Sequence, residues 1–319
     1  MAENYIPSFL SHSDATGIAT SRPLENIDWE HLMHPEDRSA IATMEAVPCF
    51  SAAMKAVLTG VVEKISYGQN IGNALKLGPD QLPEYYNLLL PVCETLGINQ
   101  IPELYMEMNP IPNAETCGEE RTYIKMTSGL VESFSPEDIQ IVLAHECGHI
   151  LFKHIRYLML AQAFMMGINL LGSGVAMIAT LGGSVALEQC VYRWRRMSEY
   201  SADRVAMLYA GNIKKALHVI VRLAGGPEAL VKNVNYDAYL AQASECERTF
   251  KPEDMEGIMQ NLSLWNQTHP LNASRAFQLN EFYATTSYKS VAKCLGTFCC
   301  PQCNGKMRSD TVCVNGHFC

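Results

Sequence analysis

The chain lacks the usual marks of export. Its first 28 residues carry no basic cluster and no long apolar run, so they do not read as a secretory signal. They are polar, with scattered Ser, Asp and Thr, and read as a loosely held arm, residues 1–28, ahead of the folded part. Positive charge is also scarce. Lys and Arg number 24 against 33 Asp and Glu, a net charge of -9, which argues against general nucleic-acid binding. The cysteines ahead of the tail lack the spacing of a disulfide framework. Cys49, Cys93, Cys147, Cys190 and Cys246 sit singly in helical-looking segments, as buried thiols do. With no export signal, a reducing, cytoplasmic setting is the expectation.

What is present is a sizeable apolar fraction, 48% of 319 residues, enough for one large domain or two ordinary ones. The chain is organised around residues 135–157. Ser135 suits an N-cap, Pro136 the first helical position, and Asp138 the third place of a capping box. Ile139, Val142, Leu143, Ile150 and Leu151 then recur at a helical period. Residues four apart share a helix face, so His145 and His149 can offer two imidazoles to one metal ion. Glu146 is close enough to reach a water on that metal without being a ligand. This is the H-E-x-x-H spacing of zinc peptidases. Zn²⁺ keeps one coordination position for water and lowers its pKa to about 7, and the carboxylate takes the proton during attack on a carbonyl.

Around this stretch the pattern is mostly helical. Residues 29–66 read as one or two helices broken near Pro48, 67–78 as a connection containing Gly and Asn, and 80–96 as an amphipathic helix. Leu104–Met108 and Arg121–Met126 read as strands, with a turn at Pro110–Ala114 between them, giving a small antiparallel sheet beside the His145 helix. By analogy with zinc peptidases, an edge strand there would hold an extended peptide by backbone pairing. After the helix, residues 157–187 contain no charged side chain. A single span would separate His149 from any ligand beyond Arg193, and 31 glycine-interrupted residues fall short of a two-span hairpin. Two shorter helices packed in a core are expected, with a hairpin touching one membrane leaflet as the alternative. Further helices are expected over 213–223, 228–246, 252–265 and 270–283.

A second chemical stretch follows in 193–210. Glu199 and Asp203 share a helix face, and between them could supply a third metal ligand and the acceptor that fixes a ligating histidine's tautomer. His145-Glu146-Cys147-Gly148-His149 followed by Glu199-Tyr200-Ser201-Ala202-Asp203 resembles the HtpX-like zinc metallopeptidases, gluzincins with the pattern H-E-x-G-H then E-x-x-A-D. Thr268-His269-Pro270 with Arg275, and Pro112-Asn113-Ala114, resemble further segments of that family, so the resemblance runs from about residue 35 to 285. It implies a zinc endopeptidase acting on peptides or proteins, with His145, His149 and Glu199 as zinc ligands and Glu146 as general base. It further implies Asp203 as the outer partner of a ligand, His269 as a stabiliser of the oxyanion, and Asn113, Ala114 and Arg275 as substrate contacts. Full-length spans, present in the membrane-bound branches, are missing here, so the soluble branch fits better. Cys147 fills the free position of the motif and reads as a packed thiol.

The tail holds six of the twelve cysteines. Cys300 and Cys303, then Cys313 and Cys319 across a nine-residue spacer, approach the ligand set of a structural zinc ribbon, with His317 the rival partner of Cys313. Such a module could bind a protein partner or guard the active site. The expected architecture is α+β and mostly helical: a gluzincin metallopeptidase domain over 29–290 and a zinc ribbon over 291–319. The competing reading is a zinc-stabilised interaction module whose peptidase site is silent or shielded.

Overall fold

The helix that carries the histidine pair runs through the centre of the protein. The structure, a computed structural model, describes residues 27–46, 63–158, 184–249 and 271–295, without the side chains of 184–193 and Cys294. Its elements in chain order are α1 (Trp29–Leu32), α2 (Pro35–Glu45), α3 (Glu63–Asn73), β1 (Leu75–Leu77), α4 (Pro83–Leu96), β2 (Glu103–Glu107), β3 (Ala114–Cys117), β4 (Tyr123–Thr127) and α5 (Ser128–Ser133). There follow α6 (Pro136–Leu151), α7 (Ser184–Ala210), α8 (Ile213–Gly225), α9 (Glu228–Val231), α10 (Tyr236–Thr249), α11 (Asn272–Tyr283) and α12 (Thr286–Cys294).

Ser135 caps α6 as its sequence requires. Its hydroxyl accepts the Asp138 N–H at 3.2 Å and donates to the Asp138 carboxylate at 2.7 Å, and Pro136 opens the first turn. Every residue from Ile141 to His149 is buried, because α4, α7, α8 and β3 wall the helix in. The closest neighbour is α7. A Cβ on Gly148 would lie 3.0 Å from the Ala202 Cα and 3.2 Å from the Val205 Cβ. Glycine in the first motif and alanine in the second therefore set how near the two helices come, and so how near Glu199 and Asp203 come to the histidines. Helix α11 packs on α7 and α8 and brings in Arg275. The core around α6 is built from Leu89, Val92, Leu104, Ile124, Leu143 and Val205, all without solvent exposure.

The sheet has the order β1-β2-β4-β3 and is mixed, not purely antiparallel as the sequence suggested. β1 pairs antiparallel with β2, and β3 with β4, but β2 and β4 run parallel from Glu103↔Tyr123 to Glu107↔Thr127. The reason is a strand that the sequence pattern hid. The chain reverses twice between β2 and β4, once into β3 and once at Gly118, so β4 returns in the direction of β2 and inserts between β2 and β3. Gly118 is needed at that second reversal, with φ +81° and the Arg121 carbonyl oxygen 2.0 Å from where a Cβ would stand. β3 is consequently an edge strand, and it lies directly against α6.

Three other expectations change. Residues 67–73 belong to a helix rather than a connection, and Gly68 and Gly72 sit on a face where nothing approaches within 4 Å. The helix expected over 228–246 is two, α9 and α10, separated where the Asn235 side chain accepts the N–H groups of Asp237 and Ala238. Helix α12, unread from the sequence, runs past the boundary expected at 290. All but the last two residues of the arm expected over 1–28, the break expected near Pro48, the helix expected over 252–265, most of the uncharged 157–187 run and the tail cysteines after Cys294 lie outside the described residues. No helix among the described residues is long and apolar enough to cross a membrane.

Candidate metal centre

One turn of α6 places His145 and His149 side by side, their ring centroids 5.1 Å apart. Across from them α7 presents Glu199, with Oε2 3.3 Å from His145 Nε2 and Oε1 3.6 Å from His149 Nε2. Ligand atoms of the three residues all lie within 4.8 Å of one another, and all three residues are buried. This is the only such group of three or more potential ligands among the described residues.

The remaining ring nitrogens are engaged from behind. His145 Nδ1 is 2.9 Å from Asp203 Oδ1. A carboxylate can only accept, so that nitrogen carries the proton and Nε2 is directed to Glu199. Asp203 is held in turn by Arg275, whose Nε donates to Oδ2 at 2.8 Å and Nη2 to Oδ1 at 2.6 Å. Burial would push the Asp203 carboxyl up, but the Arg275 charge and hydrogen bonds, aided by His145, bring it down to about 2. Burial opposes a charge on His145, yet Asp203 and Glu199 outweigh it and lift its pKa to about 10. The pocket's field thus favours positive charge. Two imidazole Nε2 atoms and a carboxylate facing one point form the donor set that suits a zinc ion, so the residues fit that metal. On the far side, His149 Nδ1 lies 3.0 Å from His154 Nδ1, and His154 Nε2 lies 3.0 Å from Asp37 Oδ2.

Glu146 is buried beside His145 and contacts β3. The Thr116 hydroxyl is 2.6 Å from Glu146 Oε2 and 3.2 Å from the Glu146 carbonyl oxygen. Beside Glu146 and His145 lies a cavity of about 560 Å³. Val142, Ala216, Val219, Ile220 and Leu223 give it apolar walls, and Asn113, Ala114 and Arg275 line it as well.

His145, Glu146, His149, Glu199, Asp203, Asn113, Ala114 and Arg275 are therefore gathered at one place. Arg275 is buried there with two of its nitrogens on Asp203. His269, Cys300, Cys303, Cys313, Cys319 and His317 lie outside the described residues. Sequence reasoning missed Thr116, His154 and Asp37. Thr116 fell in a strand too short to show a period. Asp37 lies in the first turn of α2, where His34 Nδ1 accepts the Glu36 N–H at 3.3 Å, so by its pattern it is an ordinary helix-start acid. The signal that could have found His154 is its place five residues after His149, just past the helix end.

Comparison with known proteins agrees with this geometry. The model of peptidase family M48 matches residues 87–282. The chain is 30% identical over 273 residues to the plastoglobule-localized metallopeptidase 48, chloroplastic, of Arabidopsis thaliana, covering 84% of this chain and 77% of that protein. It is 26% identical over 225 residues to a protease HtpX homolog of Streptococcus uberis, covering 69% and 72% respectively. No solved structure matches it.

Proposed function

The chain belongs to peptidase family M48, and from that membership we propose that it is a zinc-dependent endopeptidase with His145, His149 and Glu199 as ligands and Glu146 as general base. The observation that carries the proposal is the convergence of three buried donors within 4.8 Å, next to a glutamate on the same helix. Bound there, zinc would polarise the scissile carbonyl and acidify a water.

The protein's own residues would do the rest. Glu146 takes the proton of the attacking water and returns it to the leaving amine. The Thr116 hydroxyl, 2.6 Å from Oε2, holds that carboxylate in one orientation. Arg275 holds Asp203, which holds His145. The outer edge of β3, which has no strand neighbour among the described residues, would pair with an extended substrate backbone near Asn113 and Ala114. The apolar cavity beside Glu146 would take a bulky uncharged side chain next to the scissile bond. By the family resemblance His269 would steady the oxyanion.

The tail would hold a second, structural zinc through Cys300, Cys303 and Cys313 with Cys319 or His317, and could dock a protein partner. Cys93, Cys117, Cys147 and Cys246 are free thiols, which supports work in a reducing compartment. The uncharged 157–187 run, together with a relative named for its plastoglobule location, supports contact with a lipid surface.

The test is hydrolysis of casein and of quenched peptides by wild type and Glu146→Gln, with metal analysis of both. Hydrolysis lost in the variant with zinc retained is the expected result. A variant as active as wild type, or one that has lost its catalytic zinc, would remove Glu146 from the base role. Zinc-loaded wild type inert on every peptide would favour the interaction-module reading.

A further inference from the structure

We infer that His154 and Asp37 are positioning residues for a metal ion on His149, so that helix α2, which precedes the family-matched residues 87–282, is part of the metal site. This rests on the metal reading above and extends it to residues that reading does not use.

The inference follows from where the protons must be. His149 Nε2 faces Glu199, so a metal there takes Nε2 and leaves the proton on Nδ1. That N–H needs an acceptor, and His154 Nδ1 stands 3.0 Å away. His154 can accept at Nδ1 only if its own proton is on Nε2, which lies 3.0 Å from Asp37 Oδ2. The approach is oblique, an ion-pair contact more than an aligned hydrogen bond, so it is the carboxylate's field that keeps the proton on that side.

The far end of the chain has a fixed polarity. The Trp194 indole N–H donates to Asp37 Oδ1 at 2.8 Å, and an indole can only donate. The Ser201 hydroxyl accepts the His34 backbone N–H at 2.9 Å, so its single proton goes to Asp37 Oδ2. Asp37 is thereby an acceptor on every side, and His154 is left one tautomer, the one His149 needs as a ligand. His154, Asp37, Trp194 and Ser201 are all 0% exposed, so bulk water has no access to take the place of any of them.

The helix ending places His154. Helix α6 stops at Leu151, and Lys153 takes φ +58°, the left-handed position of a Schellman helix ending, with its N–H on the Ile150 carbonyl at 3.1 Å. That turn brings His154 back under His149, with the His154 N–H on the His149 carbonyl at 2.9 Å.

The test is zinc affinity of the metal-free full chain by chelator competition, with the isotherm of Glu199→Ala subtracted to remove tail binding. His154→Phe and Asp37→Asn are expected to weaken zinc binding about 10- to 100-fold. In Asp37→Asn the amide hydrogens face the Ser201 and His154 protons and favour the wrong tautomer. His154→Gln is expected to stay within a few-fold of wild type, because its amide oxygen can accept from His149 while its NH₂ donates to Asp37. If His154→Phe fails to fold, Asp37→Asn against His154→Gln decides. Melting of each metal-free variant separates stability from binding. Wild-type affinity in Asp37→Asn and His154→Phe, with only the melting temperature lowered, would overturn the inference. So would His154→Gln weakening as much as His154→Phe. A wild-type chain with no more zinc than Glu199→Ala would instead sink the metal reading itself.

Discussion

Two histidines one helical turn apart are held from behind in different ways. His145 leans on a charged carboxylate, Asp203, which Arg275 neutralises through two hydrogen bonds. His149 leans on a second histidine, with Asp37 one step further out, where that carboxylate takes the Trp194 indole N–H and the Ser201 hydroxyl. The first support is electrostatic. It raises the affinity of the site for a cation at the expense of a buried ion pair that must stay complete. The second sets a tautomer without placing a full charge next to the ligand. The difference also runs along the chain. Asp203 and Ser201 sit in the same motif as the ligand Glu199, whereas Asp37, Trp194 and His154 come from α2, an earlier turn of α7 and the segment after α6.

The sharpest way to break the comparison is Asp203→Ala. It strips His145 of its partner and leaves the Arg275 guanidinium buried without its carboxylate. A destabilisation of about 3–5 kcal/mol is expected for breaking such a pair. Denaturant unfolding of the metal-free chain reads it, and a loss below 1 kcal/mol would mean that the pair contributes little.

His269→Ala comes next, and it tests a role that rests on the family resemblance rather than on either support. It should lower kcat by roughly 10²–10³ with KM little changed and both zinc ions kept, as for loss of an oxyanion donor. Lower melting with normal kcat per folded molecule would assign His269 to structure alone.

Gly148→Ala should disturb both supports together. Its Cβ would meet Ala202 at 3.0 Å, forcing α7 outward and moving Glu199 and Asp203 with it. About 1–3 kcal/mol of stability should be lost, measured by thermal unfolding, and zinc affinity should fall alongside it.

The smallest effect expected is that of Thr116→Val. Removing one hydrogen bond to the Glu146 carboxylate should lower kcat about tenfold, leave zinc affinity alone, and be rescued by Thr116→Ser. A valine variant as fast as wild type would show that the hydroxyl plays no part, and a serine variant as slow as the valine one would show that the hydroxyl alone does not suffice.

These particulars also show what was legible in the sequence. The cap, the period and the histidine spacing of α6 are local, so residues 135–151 could be read directly. Glu199 and Asp203 were legible as a pair because one helix face holds both, although only the resemblance to a family divided their roles. The sheet was half legible. β2 and β4 show a strand pattern, but β3 is four residues that follow a proline-rich turn, and strand order depends on pairing partners that no local pattern encodes. His154 and Asp37 were illegible for a related reason. Each is an ordinary polar residue in its own segment, and the meaning comes from a contact between residues 117 positions apart.

The most direct measurement is the zinc content of the intact chain and of Glu199→Ala by native mass spectrometry. Glu199 is the one donor that faces both histidines, at 3.3 Å and 3.6 Å. Wild type should carry two zinc ions and Glu199→Ala one, with hydrolysis abolished in the variant. Equal zinc content in the two proteins, with the variant folded, would contradict a metal held by His145, His149 and Glu199.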